Sequence, residues 1–342
     1  MGIVRNSEIG PVADHGGALD RAAARFGAGP DWLDLSTGIN PWPYPIPALP
    51  DEAWHRLPEQ SALAALKQAA RDYYGAPAEA AMVAGPGSQA LIQGLPRLLP
   101  PNRVAVLAPS YAEHVRCWRL AGHAVSEVTV PGAAETILVM TNPNNPDGRR
   151  FAPDALIGLA ETMAERGGLL IIDEAFADME AELSMAPKAG MPGLVVLRSF
   201  GKFFGLAGLR LGFAFGPAGL IDRLEAALGP WAVSGPALEI GRAALADAPW
   251  IAATRARLAR AAAGLTTLLS AHRLEPVGGT DLYRLVRSDR AAALHEALGR
   301  QHILVRDFAA RPDWLRFGLP PDAQAMARLG RALGDGRHTN AP

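Results

Sequence analysis

Residues 199–212 read Ser199-Phe-Gly-Lys202-Phe-Phe-Gly-Leu-Ala-Gly-Leu-Arg210-Leu-Gly212, and the interpretation of the whole chain turns on Lys202. The protein has three lysines, Lys67, Lys188 and Lys202, among 33 basic residues, the others all being arginine. A position that stays lysine in such a chain points to an amine that must lose its proton, which a guanidinium does not do at physiological pH. Such an amine is the nucleophile of Schiff-base chemistry. Alone, Lys202 reads as readily as a lysine on a solvated loop. Its neighbours shift the balance: Ser199 and Arg210 frame a glycine-rich turn, and hydroxyl, guanidinium and bare amides are the groups that bind a phosphate monoester.

Composition sets the bounds. A chain of 342 residues, 49% hydrophobic, can bury a sizeable core and suggests two domains. A net charge of −1 and the lack of any basic block give no general attraction to nucleic acid or to an anionic membrane. The single cysteine, Cys117, excludes an internal disulfide and leaves no thiolate cluster for a metal. The opening Met1–Glu8 lacks an apolar leader core, and no run approaches the roughly 18 apolar residues of a membrane span, so the expectation is a cytoplasmic protein.

Short apolar runs alternate with helical patterns over the middle of the chain, as in a sheet covered by helices on both faces. Strands are expected at 81–84, 103–107, 124–130, 136–140, 168–172, 194–198 and 210–215. The fold class is therefore α/β, with a large domain over 46–235 built on a seven-stranded, mostly parallel sheet. An N-terminal arm over 1–45 joins a small α+β C-terminal domain over 236–342. In the arm, the stretch from His15 to Gly27 reads as a short helix and the stretch from Leu33 to Pro41 as a strand entering a turn. Asp51 to Gly75 reads as one helix, and 236–271 as one long alanine-rich helical region.

Four motifs carry candidate chemistry. Gly85-Pro-Gly-Ser88-Gln89 is a glycine turn opening a helix, a common loop that also makes an anion site from free amides and the helix dipole. Tyr111 follows a strand, where packing alone would explain it. Asn145-Pro-Asp-Gly148 forms a turn whatever its function. The strand from Gly168 ends in Asp173 and Glu174, at the strand end where open α/β sheets bind ligands.

In this order and context the motifs resemble the fold-type I (aspartate aminotransferase-like) pyridoxal phosphate enzymes. The resemblance implies pyridoxal 5'-phosphate as cofactor, Lys202 as the residue that holds its aldehyde and Asp173 as the partner of its ring nitrogen. It further implies Asn145 on the phenolate oxygen, Tyr111 stacked on the ring, and Ser88, Gln89, Ser199 and Arg210 on the phosphate. The pair His15-Gly-Gly and Leu35-Ser-Thr-Gly38-Ile-Asn40-Pro is similar to one branch, the threonine-phosphate decarboxylases of cobalamin synthesis. That implies a small phosphorylated amino acid as substrate, with Gly38, Asn40 and Arg316 near its carboxylate, and His15 and Arg306 at its phosphate. A homodimer is implied as well.

Two departures from the family pattern stand out. Phe176 lies where many relatives have a tyrosine hydroxyl on the phenolate oxygen, so a different acidity is expected for the Lys202 imine. Leu57, in Arg56-Leu-Pro-Glu59, cannot supply the tyrosine that relatives send across the dimer interface. Both are atypical of the histidinol-phosphate aminotransferases, the alternative branch.

Overall fold

The apolar runs become strands and the alternating patterns become helices in a computed structural model, which describes residues 15–29, 31–132 and 135–335. The segment Met1–Glu8, expected to lack an apolar leader core, lies outside the described residues. The described chain divides into two units, a larger one holding residues 43–145 and 149–251 and a smaller one holding 15–42, 146–148 and 252–335.

The smaller unit opens with α1 (Leu19–Phe26) and β1 (Leu33–Leu35). The larger unit begins with α2 (Glu52–His55) and α3 (Gln60–Tyr74), where a single helix was expected. The break has a simple cause. Pro58 offers no amide to the ladder and disfavours helical geometry in the residue before it, and Arg56 is already extended at φ −106°, ψ 153°.

Seven strands follow with their helices: β2 (Ala81–Gly85), α4 (Ser88–Gly94), β3 (Arg103–Leu107), α5 (Ala112–Leu120), β4 (Ala124–Val128), β5 (Ile137–Thr141), α6 (Pro153–Glu165), β6 (Leu169–Asp173), β7 (Leu194–Ser199), α7 (Phe200–Phe203) and β8 (Gly212–Gly216). They form one sheet in the order β2-β8-β7-β6-β5-β3-β4. β8 runs antiparallel to both its neighbours, and the other pairs are parallel. The central strands are buried on both faces, with Val104, Val139, Ile171 and Val195 packed in one cluster with Leu91 and Trp118. Each such side chain contributes about 1.5–3 kcal/mol by leaving water, which makes this sheet the core of the larger unit.

Register sets the site. Thr141 pairs with Asp173, so β5 and β6 end level. Ser199 pairs with Gly212, which pairs in turn with Gly85, so three loops leave the sheet side by side.

Helices α8 (Ala218–Leu228), α9 (Gly235–Ala246) and α10 (Ala248–Ala271) follow. The alanine-rich region is two helices, because Asp247 stops the first and caps the second through Trp250 N–H to Oδ1 at 3.0 Å. α9 begins on a Ser234 cap and buries Leu238, Ile240 and Leu245. Gly241 lets it close on Leu66 of α3, so residues 236–251 pack with the larger unit rather than with the C-terminal domain expected from sequence.

The smaller unit is completed by β9 (Pro276–Thr280), β10 (Tyr283–Arg287), α11 (Ala291–Arg300), β11 (Ile303–Asp307), β12 (Trp314–Gly318) and α12 (Ala323–Asp335). Its five strands lie in the order β1-β11-β12-β10-β9, with β1 parallel to β11. Among the described residues no helix is long and apolar enough to cross a membrane.

Candidate active site

Lys202 is held by its aromatic neighbours. Phe200, Phe203 and Phe204 recur at three and four spacing, share one side of the turn and are fully buried. Phe200 stacks on Phe204 at 4.3 Å, Phe204 stacks on Trp250 at 5.6 Å, and the Phe204 carbonyl accepts from Tyr44 N–H at 2.9 Å. Lys202 lies off that face and stays half-buried, with Nζ 5.8 Å from the centroid of the Phe176 ring. The ring that replaces the family's tyrosine therefore lies beside the amine itself.

Beside it the sheet edge forms a cradle. The amides of Ser88 and Gln89 head α4, where a helix's own ladder leaves donors over and its dipole favours an anion. A Cβ on Gly87 would overlap the Arg210 guanidinium, and one on Gly212 would overlap the Ser88 amide nitrogen. Only bare backbone lets these groups close together. Arg210 itself is in the left-handed region at φ 55°, with Nη1 donating to the Ala207 carbonyl at 2.9 Å. A bulky side chain in that region costs on the order of 1–3 kcal/mol, a strain that clusters at binding sites. With Ser199 on the adjacent strand end, this donor set suits a phosphate monoester.

Asp173 ends β6 with its side chain buried, and its two oxygens are already directed. Oδ1 accepts from Ala175 N–H at 3.0 Å, and Oδ2 lies 3.0 Å from His114 Nε2. His114 is a residue that the sequence did not reveal as part of the site. The only hint was its spacing: positions 114, 117 and 118 share the buried side of α5, so a histidine there needed a polar partner. The Tyr111 ring stands edge-on to His114 at 6.0 Å. Asn145 is half-buried in a loop braced from both sides: Asn142 Oδ1 accepts from Phe151 N–H at 2.9 Å, and Asn144 Nδ2 donates to the Pro109 carbonyl at 2.7 Å.

The smaller unit holds its own cationic cluster. Arg306 and Arg316 are direct cross-strand partners on β11 and β12, so their side chains leave the same face of the sheet. Arg316 is buried, donates from Nη2 to the Ser36 carbonyl at 2.8 Å and lies 4.9 Å above the Tyr283 ring. Ser36 Oγ donates to Asp34 at 2.6 Å and accepts from Gly17 N–H at 2.7 Å. A Cβ at Gly16 would overlap the Ser36 carbonyl, which explains why the turn after His15 carries glycine. His15, Ser36 and Arg306 line one cavity of about 240 Å³. Asn40 is buried and accepts from Trp42 N–H at 2.9 Å.

The sequence pattern of the family "Aminotransferase class I and II" matches residues 30–333. The chain belongs to that family. It is 47% identical to a threonine-phosphate decarboxylase of Pseudomonas aeruginosa over 94% of this chain and 97% of that one. By shape it resembles a histidinol-phosphate aminotransferase from Sinorhizobium meliloti in complex with pyridoxal-5'-phosphate, with a TM-score of 0.82 at 20% identity over 99% of this chain and 98% of the other. It also resembles an L-threonine-O-3-phosphate decarboxylase from Porphyromonas gingivalis, with a TM-score of 0.71 at 20% identity over 89% and 98% of the two chains. Membership makes pyridoxal 5'-phosphate the cofactor of this aminotransferase-fold enzyme. The cradle fits the group, since the closeness of Ser88, Arg210 and Gly212 leaves no room for side chains where its phosphate needs donors.

Proposed function

We propose that the chain decarboxylates L-threonine O-3-phosphate to (R)-1-amino-2-propanol O-2-phosphate, in the cytoplasm and as a homodimer, for cobalamin synthesis. The observation that carries this is the Arg306–Arg316 pair. Their guanidiniums leave one face of the sheet as two forks, and a substrate with a carboxylate and a phosphate supplies an anion for each. The identity to a threonine-phosphate decarboxylase over nearly the whole chain supports the same substrate.

Bound pyridoxal phosphate supplies an electron sink for the bond that breaks at the substrate Cα. The residues of the chain do the rest. Lys202 would hold the aldehyde through Nζ. Asp173, oriented by Ala175 and His114, would face the ring nitrogen, and Asn145 would donate to the phenolate oxygen. Ser88, Gln89, Ser199 and Arg210 would take the cofactor phosphate. His15 and Arg306 take the substrate phosphate. Arg316, with backbone at Gly38 and the buried Asn40, sets the direction of the carboxylate and so decides whether carbon dioxide or a proton leaves. Purified protein given threonine phosphate and no keto acid should release carbon dioxide. Turnover of histidinol phosphate that requires 2-oxoglutarate would overturn the proposal. For the dimer, the exposed Trp54, Leu57 and Trp231 are apolar surface of the larger unit, and the mass in solution is the check.

The carboxylate role has a pH signature. Burial first of all, with Tyr283 opposing and Arg306 adding, brings the Arg316 guanidinium down to about 10. Below that pH the guanidinium is cationic and binds an anion, and the anion in turn favours the charged form. Above it, deprotonation removes the attraction. Inhibition by a carboxylate analogue that lacks the amine should therefore weaken by about tenfold per pH unit above this point, the slope of a single proton. A constant inhibition constant from pH 8 to 11 would show that the guanidinium keeps its proton there, and inhibition unchanged in Arg316→Gln would exclude Arg316 as the carboxylate ligand.

A further inference from the structure

Glu113 is a buried carboxylate that the proposed chemistry does not use. It lies in the first turn of α5, two residues after Tyr111. Its Oε2 accepts from Gln89 Nε2 at 3.0 Å, with Arg116 Nη1 at 3.4 Å and the Cys117 thiol at 3.7 Å. Gln89 Oε1 in turn accepts from the Tyr111 hydroxyl at 3.1 Å.

The direction of every bond in this chain is forced. A carboxylate only accepts, so Gln89 must turn its NH₂ toward Glu113. That leaves the amide oxygen for Tyr111, whose hydroxyl must then donate. An uncharged group at position 113 would let the amide flip and the hydroxyl reverse its role. Arg116 pairs with the same carboxylate oxygen at 3.4 Å. The two other protons involved stay in place: burial foremost, then Glu113 and Asp173, hold the Tyr111 hydroxyl well above its ordinary pKa, and burial with Glu113 pushes the Cys117 thiol up to about 12.

We infer that Glu113 and Gln89 are positioning residues: the carboxylate fixes the Gln89 amide, the amide fixes the Tyr111 hydroxyl, and the Tyr111 ring is held at one tilt for the cofactor. Gln89 then has two tasks, its backbone at the phosphate and its side chain at the ring, so the two ends of the cofactor are tied through one residue. This rests on the assignment of Tyr111 to the cofactor face. A part-buried, hydrogen-bonded network of this kind is fixed only while each member is satisfied.

The test uses the holoenzyme and the variants Glu113→Gln, Gln89→Met and Tyr111→Phe, singly and in pairs, read by the circular dichroism of the cofactor band and by kcat and KM. Each single variant is expected to lower kcat about fivefold with KM close to wild type, and to change the shape of the band. Tyr111→Phe combined with Glu113→Gln should lose no more than Tyr111→Phe alone, because both break the same chain. Fully additive losses, or an unaltered band in Glu113→Gln, would overturn the inference. If Glu113→Gln does not fold, the Tyr111→Phe and Gln89→Met pair replaces it, and additive losses in that pair would overturn the inference equally. A wild-type protein with no visible cofactor band would overturn the cofactor assignment instead, and the inference with it.

Discussion

Replacing Lys202 by arginine is expected to leave a folded protein whose turnover falls by about 10⁴-fold or more, the scale on which covalent catalytic residues act. Arginine keeps the charge and nearly the length of the side chain, so what is lost is the amine that can shed a proton and bond to an aldehyde. The segment that carries it should not notice. Phe200, Phe203 and Phe204 are the buried anchors of the turn, and the half-buried Lys202 lies off their face, so the unfolding midpoint should shift by no more than a surface substitution does, about 0.5 kcal/mol. Borohydride reduction followed by peptide mapping checks the assignment. The wild type should carry the reduced adduct in the 199–212 segment, and Lys202→Arg should carry none. Lys67 is not a rival amine, since its Nζ is 3.2 Å from Glu225 and held as an ion pair. An adduct on Lys67 or Lys188 in the variant, with activity retained, would remove Lys202 from the mechanism.

Why Lys202 and Asp173 could be proposed from the sequence while the His114 contact could not is a matter of range. A strand with four apolar residues and a carboxylate at its end announces itself locally, because period and position both follow from a few adjacent residues. All seven strands of the large sheet fall within two residues of their expected positions for that reason. His114 meets Asp173 across 59 positions of chain, and no local pattern records such a meeting. The same holds for Gln89: its backbone could be assigned from the turn that precedes it, but its side chain acts through Tyr111 and Glu113 on another helix. The helix expected from Asp51 to Gly75 failed differently. Alanine and leucine spacing continues across the segment, and Pro58 overrode it. The end of the larger unit was misplaced because amphipathic periodicity in α9 shows that one face is buried without showing against which partner. The Phe176 substitution was visible, whereas the nearness of its ring to Lys202 was not.

Arg198→Met should cost about 3–5 kcal/mol of stability, the usual effect of removing one partner from a buried ion cluster. Arg198 on β7 is 3% exposed at its side chain, and Nη1 and Nη2 donate to Glu174 Oε2 at 2.7 Å and to Asp178 Oδ1 at 2.8 Å, both carboxylates being fully buried. Burial alone would lower the guanidinium pKa, but Asp178 and Glu174 more than reverse this and hold it above its ordinary value. Lysine should not rescue the site, because one ammonium cannot span two carboxylates as a planar fork does. Without Arg198 the two acids face each other unscreened. Burial already pushes the Glu174 carboxyl upward against Arg198, the Ser184 hydroxyl and the Met185 amide, and losing the guanidinium removes the largest of these restraints. A carboxyl whose folded pKa lies above its unfolded value favours the fold when protonated, and that support is lost as pH rises through the folded pKa. The deficit of the variant should therefore be largest at neutral pH and shrink as the pH is lowered. Because Glu174 directly follows Asp173, the damage should also reach the cofactor, and its visible band should bleach before the global transition in urea. Unfolding midpoints for wild type and Arg198→Met that coincide between pH 5 and 8 would show the cluster to be dispensable to the sheet edge that carries the site.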